Sequence, residues 1–244
     1  MNTHMYVCVC LCVCVCVYIY IYNTSNTHTH THTQVQYLLE QPWRILDELR
    51  ARGLTPDATT YGSLLAVCTR AGTWQRALEL QQEILQANIE MQRPLYNALI
   101  DAVWEHNAQA ALEIFRRAIE THYANVFTIK ADDGRIEWTL DLRRLSGSAA
   151  QAALVWWIQE HLQTTSLVDR PPHKMVIITG WGKVRAPWQT SYVPHKVTEL
   201  LLGIDAPTIE SDVVGRVQLD VAKLQQWAPH ALLCAQSQSW RLRA

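Results

Sequence analysis

The stretch TYGSLLAVCTRAGTWQRALEL, Thr60 to Leu80, decides how the first half of the chain folds. Tyr61, Leu64, Leu65, Val67 and Cys68 recur at helical spacing, and Gly72 breaks the run. Ala77, Leu78 and Leu80 then open a second helix that continues through Ile84 and Leu85. Thr59 and Thr60 stand where the first of these helices needs its cap. Upstream, Leu38, Ile45, Leu46 and Leu49 share one helical face, with Asp47, Glu48, Arg50 and Arg52 opposite. Gly53 stops that helix as a left-handed residue does, and Pro56 with Asp57 makes the turn. Downstream the pattern returns: Pro94 at a turn, then Tyr96, Leu99, Ile100 and Val103, then Ala111, Leu112, Ile114, Phe115 and Ile119. Tyr61 and Tyr96 stand 35 positions apart and Ala77 and Ala111 stand 34 apart. A period of that length means stacked helical hairpins.

The wording of Thr60 to Leu80, with RILDELRARGLTPD from Arg44 to Asp57 before it, resembles the pentatricopeptide repeat. On that likeness the chain holds a complete repeat from Ala58 to Gln92, a second from Arg93 to about Tyr123, and half of a predecessor ending at Asp57. In that family each repeat reads one RNA base through the residue after the leading Tyr and the last residue of the repeat. The resemblance therefore assigns base contact to Gly62 and Gln92, and to Asn97 in the next repeat, with Asp57 left over from the half repeat. Gly62 brings no hydrogen-bonding side chain, so Asn97 is the better reader. The alternative for so short an array is that its helices only pack on the domain C-terminal to them.

From Glu137 the period alternates between strand and helix. Trp138–Leu142, Lys174–Thr179, Thr208–Glu210 and Gly215–Leu219 read as strands; Ser148–Leu162, His195–Leu202 and Val221–Trp227 read as helices. That order predicts a small mixed sheet flanked by helices, with ligands at the carboxyl ends of strands. Two motifs fall at such ends: Leu140-Asp141-Leu142-Arg143, and Thr179-Gly180-Trp181-Gly182-Lys183. A carboxylate at a strand end can take a proton from a ribose hydroxyl or a water, or hold a divalent metal that does so. Gly180 and Gly182 would let backbone N–H groups approach a phosphate, with Arg143, Lys183 and Arg185 supplying charge and Trp181 stacking on a base. The competing structural roles for Asp141 are capping the following helix or pairing with Arg143 or Arg144.

These motifs, with GRVQLDVAKLQQW from Gly215 to Trp227, resemble the small MutS-related (SMR) domain over about residues 136–228, including plant and algal versions fused behind pentatricopeptide repeats. The resemblance implies an α+β chain in which α-helical hairpin repeats, an α-solenoid remnant, precede a small α/β sandwich. It implies an RNA-binding protein of organellar RNA processing or gene expression, in chloroplast or mitochondrion, with Asp141 as the catalytic residue of an endonuclease. RNA is then the partner, DNA the other nucleic acid to consider, and no cofactor is expected besides a divalent metal at Asp141. Many members of the family carry His where Arg143 stands, and a His-Ser pair commonly follows the glycine loop where this chain has Val184 and Arg185. His173 and His195 are the histidines nearest in sequence to take that place.

Composition sets the limits. The 244 residues are 49 % hydrophobic with a net charge of -1, so no global basic field draws nucleic acid and any contact with it must be local. The near-neutral charge and Gly62 favour the competing class, a non-catalytic adaptor that holds another protein, or a fragment of a larger protein. Residues 1–36 contain no Lys, Arg, Asp or Glu and carry alternating pairs, Val-Cys from Val7 to Cys16, Tyr-Ile from Tyr18 to Tyr22 and Thr-His from Thr27 to His32, which are dinucleotide repeats read as codons. We expect that segment to be disordered or to come from a misassembled reading frame. It shows no recognisable targeting peptide, lacks the flanking basic residues of a membrane anchor, and has none of the usual metal-ligand spacings for His28, His30 and His32. The expected organisation is residues 1–36 low complexity, 37–123 repeats, 136–228 the α/β domain and 229–244 a tail, with no membrane partner.

Overall fold

The computed structural model describes residues 32–162, 172–180, 192–209 and 213–237, with side chains from residue 40 and, in the third stretch, from residue 193. They fall into two compact units, Met1–Asn107 and Ala108–Ala244. The division lies inside the stretch read as the second repeat. His28, His30 and the cysteine run lie outside the described residues.

The first unit is helical: α1 (His32–Ala51), α2 (Ala58–Ala71), α3 (Trp74–Gln86) and α4 (Arg93–Trp104). α2 packs against α1, α3 and α4. Leu46 and Leu49 of α1, Tyr61, Leu64, Leu65 and Cys68 of α2, Ala77, Leu80 and Ile84 of α3, and Leu99, Ile100 and Val103 of α4 are buried. Each large side chain so placed contributes about 1.5–3 kcal/mol, and this packing rather than helix propensity holds helices this short. α1 and α3, the second helices of successive hairpins, are tied by two side-chain contacts. The Arg76 guanidinium lies 3.6 Å from the centroid of the Trp43 ring, and Arg50 pairs with Glu83.

The cap of α2 differs from the sequence expectation. Asp57, in extended backbone, accepts from the Thr60 backbone N–H at 2.8 Å and from the Thr60 hydroxyl at 2.7 Å, while Thr60 lies buried in the first turn. A carboxylate before the helix can reach back over its free N–H groups; a threonine already inside the turn cannot. At the other end Gly72 takes a left-handed φ of 66°, and its N–H donates to the Cys68 carbonyl. A Cβ at Gly72 would lie 3.2 Å from His106 Nε2. Gly72→Ala is therefore expected to destabilise the helical unit by about 1–2 kcal/mol, the usual cost of left-handed backbone with a side chain, read as a lowered thermal midpoint. An unchanged midpoint would show that the turn can relax.

The second unit holds α5 (Ala108–His122), β1 (Phe127–Asp132), β2 (Arg135–Asp141), α6 (Gly147–His161), β3 (Lys174–Ile178), α7 (Tyr192–Gly203), β4 (Thr208–Ile209), β5 (Arg216–Leu219) and α8 (Val221–Ser237). The sheet runs β1-β2-β3-β5-β4, with β2 and β3 parallel and every other pair antiparallel. α5, α7 and α8 all pack on α6. α6 is apolar around nearly its whole circumference, as a helix enclosed by neighbours must be, and Ser146 caps it. Below it Trp157 meets Trp138 of β2 edge-on at 6.4 Å and Phe127 of β1 at 6.4 Å, and this aromatic cluster fastens helix to sheet.

The mixed sheet flanked by helices matches expectation, with two additions. β1 was not expected, and α8 runs ten residues beyond Trp227 through Pro229 into the stretch read as a tail. Among the described residues no helix is long and apolar enough to cross a membrane.

Candidate functional site

Two sets of candidate residues stand in different units, and each is positioned by local backbone. In the helical unit Asp57 and Gln92 occupy the N-cap positions of α2 and α4, and Gly62 and Asn97 lie five residues further on, in the second turn of each helix. Because α2 and α4 pack side by side, the 35-residue sequence period becomes a spatial one. Gly62 and Asn97 are half-buried and Gln92 is exposed. A Cβ at Gly62 would meet only Leu95 Cδ1 at 3.8 Å, an ordinary contact. The Asp57 carboxylate is spent on its capping bonds, whereas the Gln92 side chain caps nothing and reaches Glu90 at 3.5 Å.

In the sheet unit the carboxyl ends of β2 and β3 lie side by side, Asp141 opposite Ile178. The ladder continues past the strands, since Leu142 N–H donates to the Ile178 carbonyl at 2.8 Å and Asp141 N–H to the Val126 carbonyl at 2.7 Å. This brings Asp141, Arg143 and Gly180 together. Of the two structural roles open to Asp141, the structure has the ion pair and not the helix cap. Asp141 Oδ1 accepts from Arg143 Nε at 2.9 Å and from the Arg143 backbone N–H at 3.1 Å, and Oδ2 accepts from Nη2 at 2.6 Å and Nε at 3.2 Å. Partial burial pulls the Asp141 pKa upward, but the Arg143 hydrogen bonds and the charges of Arg143 and Arg144 outweigh it and leave the carboxyl below its ordinary range. What the pair adds to stability is thus present above the ordinary aspartate range and lost as pH falls through the lowered folded value.

Gly180 has a φ of 87°, and a Cβ there would lie 3.3 Å from Arg143 Cγ. Glycine at this position lets the arginine stem rest on the backbone. The Thr179 and Gly180 N–H groups, expected to face a phosphate, instead donate to the Gly215 carbonyl at 2.9 and 3.1 Å, and the Thr179 hydroxyl adds a third bond at 3.2 Å. Gly215 was not singled out from sequence. Its signal is a glycine directly before a strand, and its φ of 79° turns that carbonyl toward the loop.

The remaining candidates do not gather here. Trp181, Gly182, Lys183 and Arg185 lie outside the described residues. His173 is at the opposite end of the parallel pair, where its N–H donates to the Ile136 carbonyl at 2.7 Å and its Nδ1 accepts from the Ile136 N–H at 3.2 Å. Five residues of strand, about 16 Å, separate that end from Asp141, so His173 cannot act beside it. His195 is exposed on α7. Among the described residues no group of three or more His, Cys, Asp or Glu side chains is placed to hold a metal ion.

Comparison with known proteins bears on the helical unit. Residues 44–105 match the pentatricopeptide repeat domain. The chain is 34 % identical over 87 residues to a chloroplastic pentatricopeptide repeat-containing protein of Arabidopsis thaliana, a match covering 34 % of this chain and 6 % of that protein. A further Arabidopsis thaliana protein named for pentatricopeptide repeats is 29 % identical over 62 residues, covering 25 % of this chain and 19 % of its own length. The chain thus corresponds to a small part of either relative.

Proposed function

We propose, taking residues 44–105 as the pentatricopeptide repeat domain they match, that this chain binds single-stranded RNA within an organelle and reads it through Asn97 and Gln92. The observation that carries this reading is the recurrence of Gly62 and Asn97, with Asp57 and Gln92, at equal places on packed helices. Successive bases can then meet successive repeats. The chloroplastic relative supports the organelle. Full-length chain titrated with a labelled single-stranded RNA of mixed sequence should bind, and affinity should fall as salt rises. Asn97→Ala should weaken binding about threefold to tenfold, the loss of one or two hydrogen bonds, while changes of the base opposite Gly62 should be felt through Gln92 alone. Absence of binding at moderate salt would sink the reading and leave the protein-holding adaptor in its place.

A second reading, endonuclease, is favoured by the convergence of Asp141, Arg143 and Gly180 at the ends of β2 and β3. In it the sheet unit is an SMR domain. The Asp141 carboxylate takes the proton of a ribose 2′-hydroxyl, the oxygen so freed attacks the adjacent phosphorus, and the 5′-oxygen leaves and is protonated by water. Arg143 meets the non-bridging oxygens, whose charge grows in the transition state.

A further inference from the structure

We propose that Asp141 is the built-in occupant of an oxyanion site on Arg143, displaced when a phosphodiester takes the guanidinium. The inference rests on the RNA reading above and concerns how the strand-end site is kept closed without RNA.

The guanidinium is a planar fork that fits a carboxylate and a phosphate equally well. Both Asp141 oxygens now fill it, at 2.6, 2.9 and 3.2 Å. The fork does not owe its direction to Asp141 alone. The Arg143 stem lies on Gly180, where a Cβ would come within 3.3 Å of Cγ and 3.9 Å of Cβ and Cδ. The site therefore keeps its shape when the carboxylate leaves. It is also open to a large anion, because the Arg143 side chain is 59 % exposed against 29 % for Asp141. On exchange Asp141 loses its three guanidinium bonds and keeps one, from the Arg143 backbone N–H to Oδ1. A carboxylate with its lone pairs freed can accept a hydroxyl proton. Phosphate arrival and arming of the carboxylate are thus one event.

The test is a double-mutant cycle read by affinity in the full chain, with inorganic phosphate and a single-stranded RNA as separate probes. Removing the internal competitor with Asp141→Asn should tighten both probes by about threefold to fivefold, the most that an ion pair this exposed can hold back. Arg143→Gln should weaken both, and Asp141→Asn on that background should bring no gain. Glu137→Gln controls for charge removal alone: at about 13 Å along the same strand, and beyond the screening length of about 8 Å, it should leave both affinities unchanged. A gain that persists without Arg143, or no gain at all, overturns the exchange. Phosphate behaving as expected while no variant binds RNA keeps the exchange site and overturns the RNA reading. The Arg143 Nε–H resonance of the unaltered protein should move on adding phosphate, which tests the same exchange with no variant to fold.

Discussion

Replacing Trp157 by alanine is expected to cost the sheet unit about 3–5 kcal/mol, a large part of the margin by which a domain of this size is stable. Trp157 is fully buried, meets Trp138 edge-on and packs on Phe127, so its removal opens a cavity where α6 meets two strands. Denaturant unfolding followed by near-ultraviolet circular dichroism would show the midpoint fall. A paired variant separates packing from hydrogen bonding. Among the described residues nothing accepts from the buried Trp157 indole N–H, so phenylalanine removes a donor that costs stability as it stands. Trp157→Phe should therefore lose no more than about 1.5 kcal/mol. Equal losses for the two variants would mean that the cluster is not the fastening it is taken to be.

The second large effect concerns Asp141. If the sheet unit cuts RNA, Asp141→Ala should slow cleavage about 100-fold or more, the usual contribution of a positioned base, while binding survives or tightens. Cleaved RNA should carry a 2′,3′-cyclic phosphate, and a substrate methylated on the 2′-oxygen at the cut should resist. Arg143→Lys should also be slow, because an ammonium cannot reproduce the two-point hold of the guanidinium. Cleavage at an undiminished rate by the Asp141 variant would remove Asp141 as the base and leave RNA binding intact.

The helical unit was legible because its signals are local. Gly53, Gly72 and the 35-residue spacing of Tyr61 and Tyr96 need no tertiary knowledge. The strands and helices from Trp138 onward were legible for the same reason, most of them carrying a buried face. β1 was not, because it is an edge strand whose residues are mostly exposed, and Lys130 and Asp132 blur its alternation. A signal for it existed in Asp133-Gly134, both at positive φ and flanked by the paired residues Asp132 and Arg135, which is the turn chemistry of a tight hairpin. The helix read as Val221–Trp227 continues to Ser237, because the chain accommodates Pro229 within it. At the site, the order of Asp141 and the glycine motif was readable, but the pairing of Asp141 with Arg143 was one of several roles open to it. The use of Gly215 as acceptor for Thr179 and Gly180 was invisible, because it joins segments 35 residues apart.

On the RNA reading proposed above, Gly62 puts a blank letter into the array, and the blank is cheap to fill. A Cβ grown there meets only Leu95 Cδ1 among the described residues, at 3.8 Å, on backbone that is already helical. Replacing a mid-helix glycine by alanine returns about 0.5–1 kcal/mol, and Asn or Ser, weaker helix formers than alanine, returns a smaller part of it while adding a hydrogen-bonding group. Vocabulary and robustness, which commonly trade against each other when proteins are redesigned, rise together here.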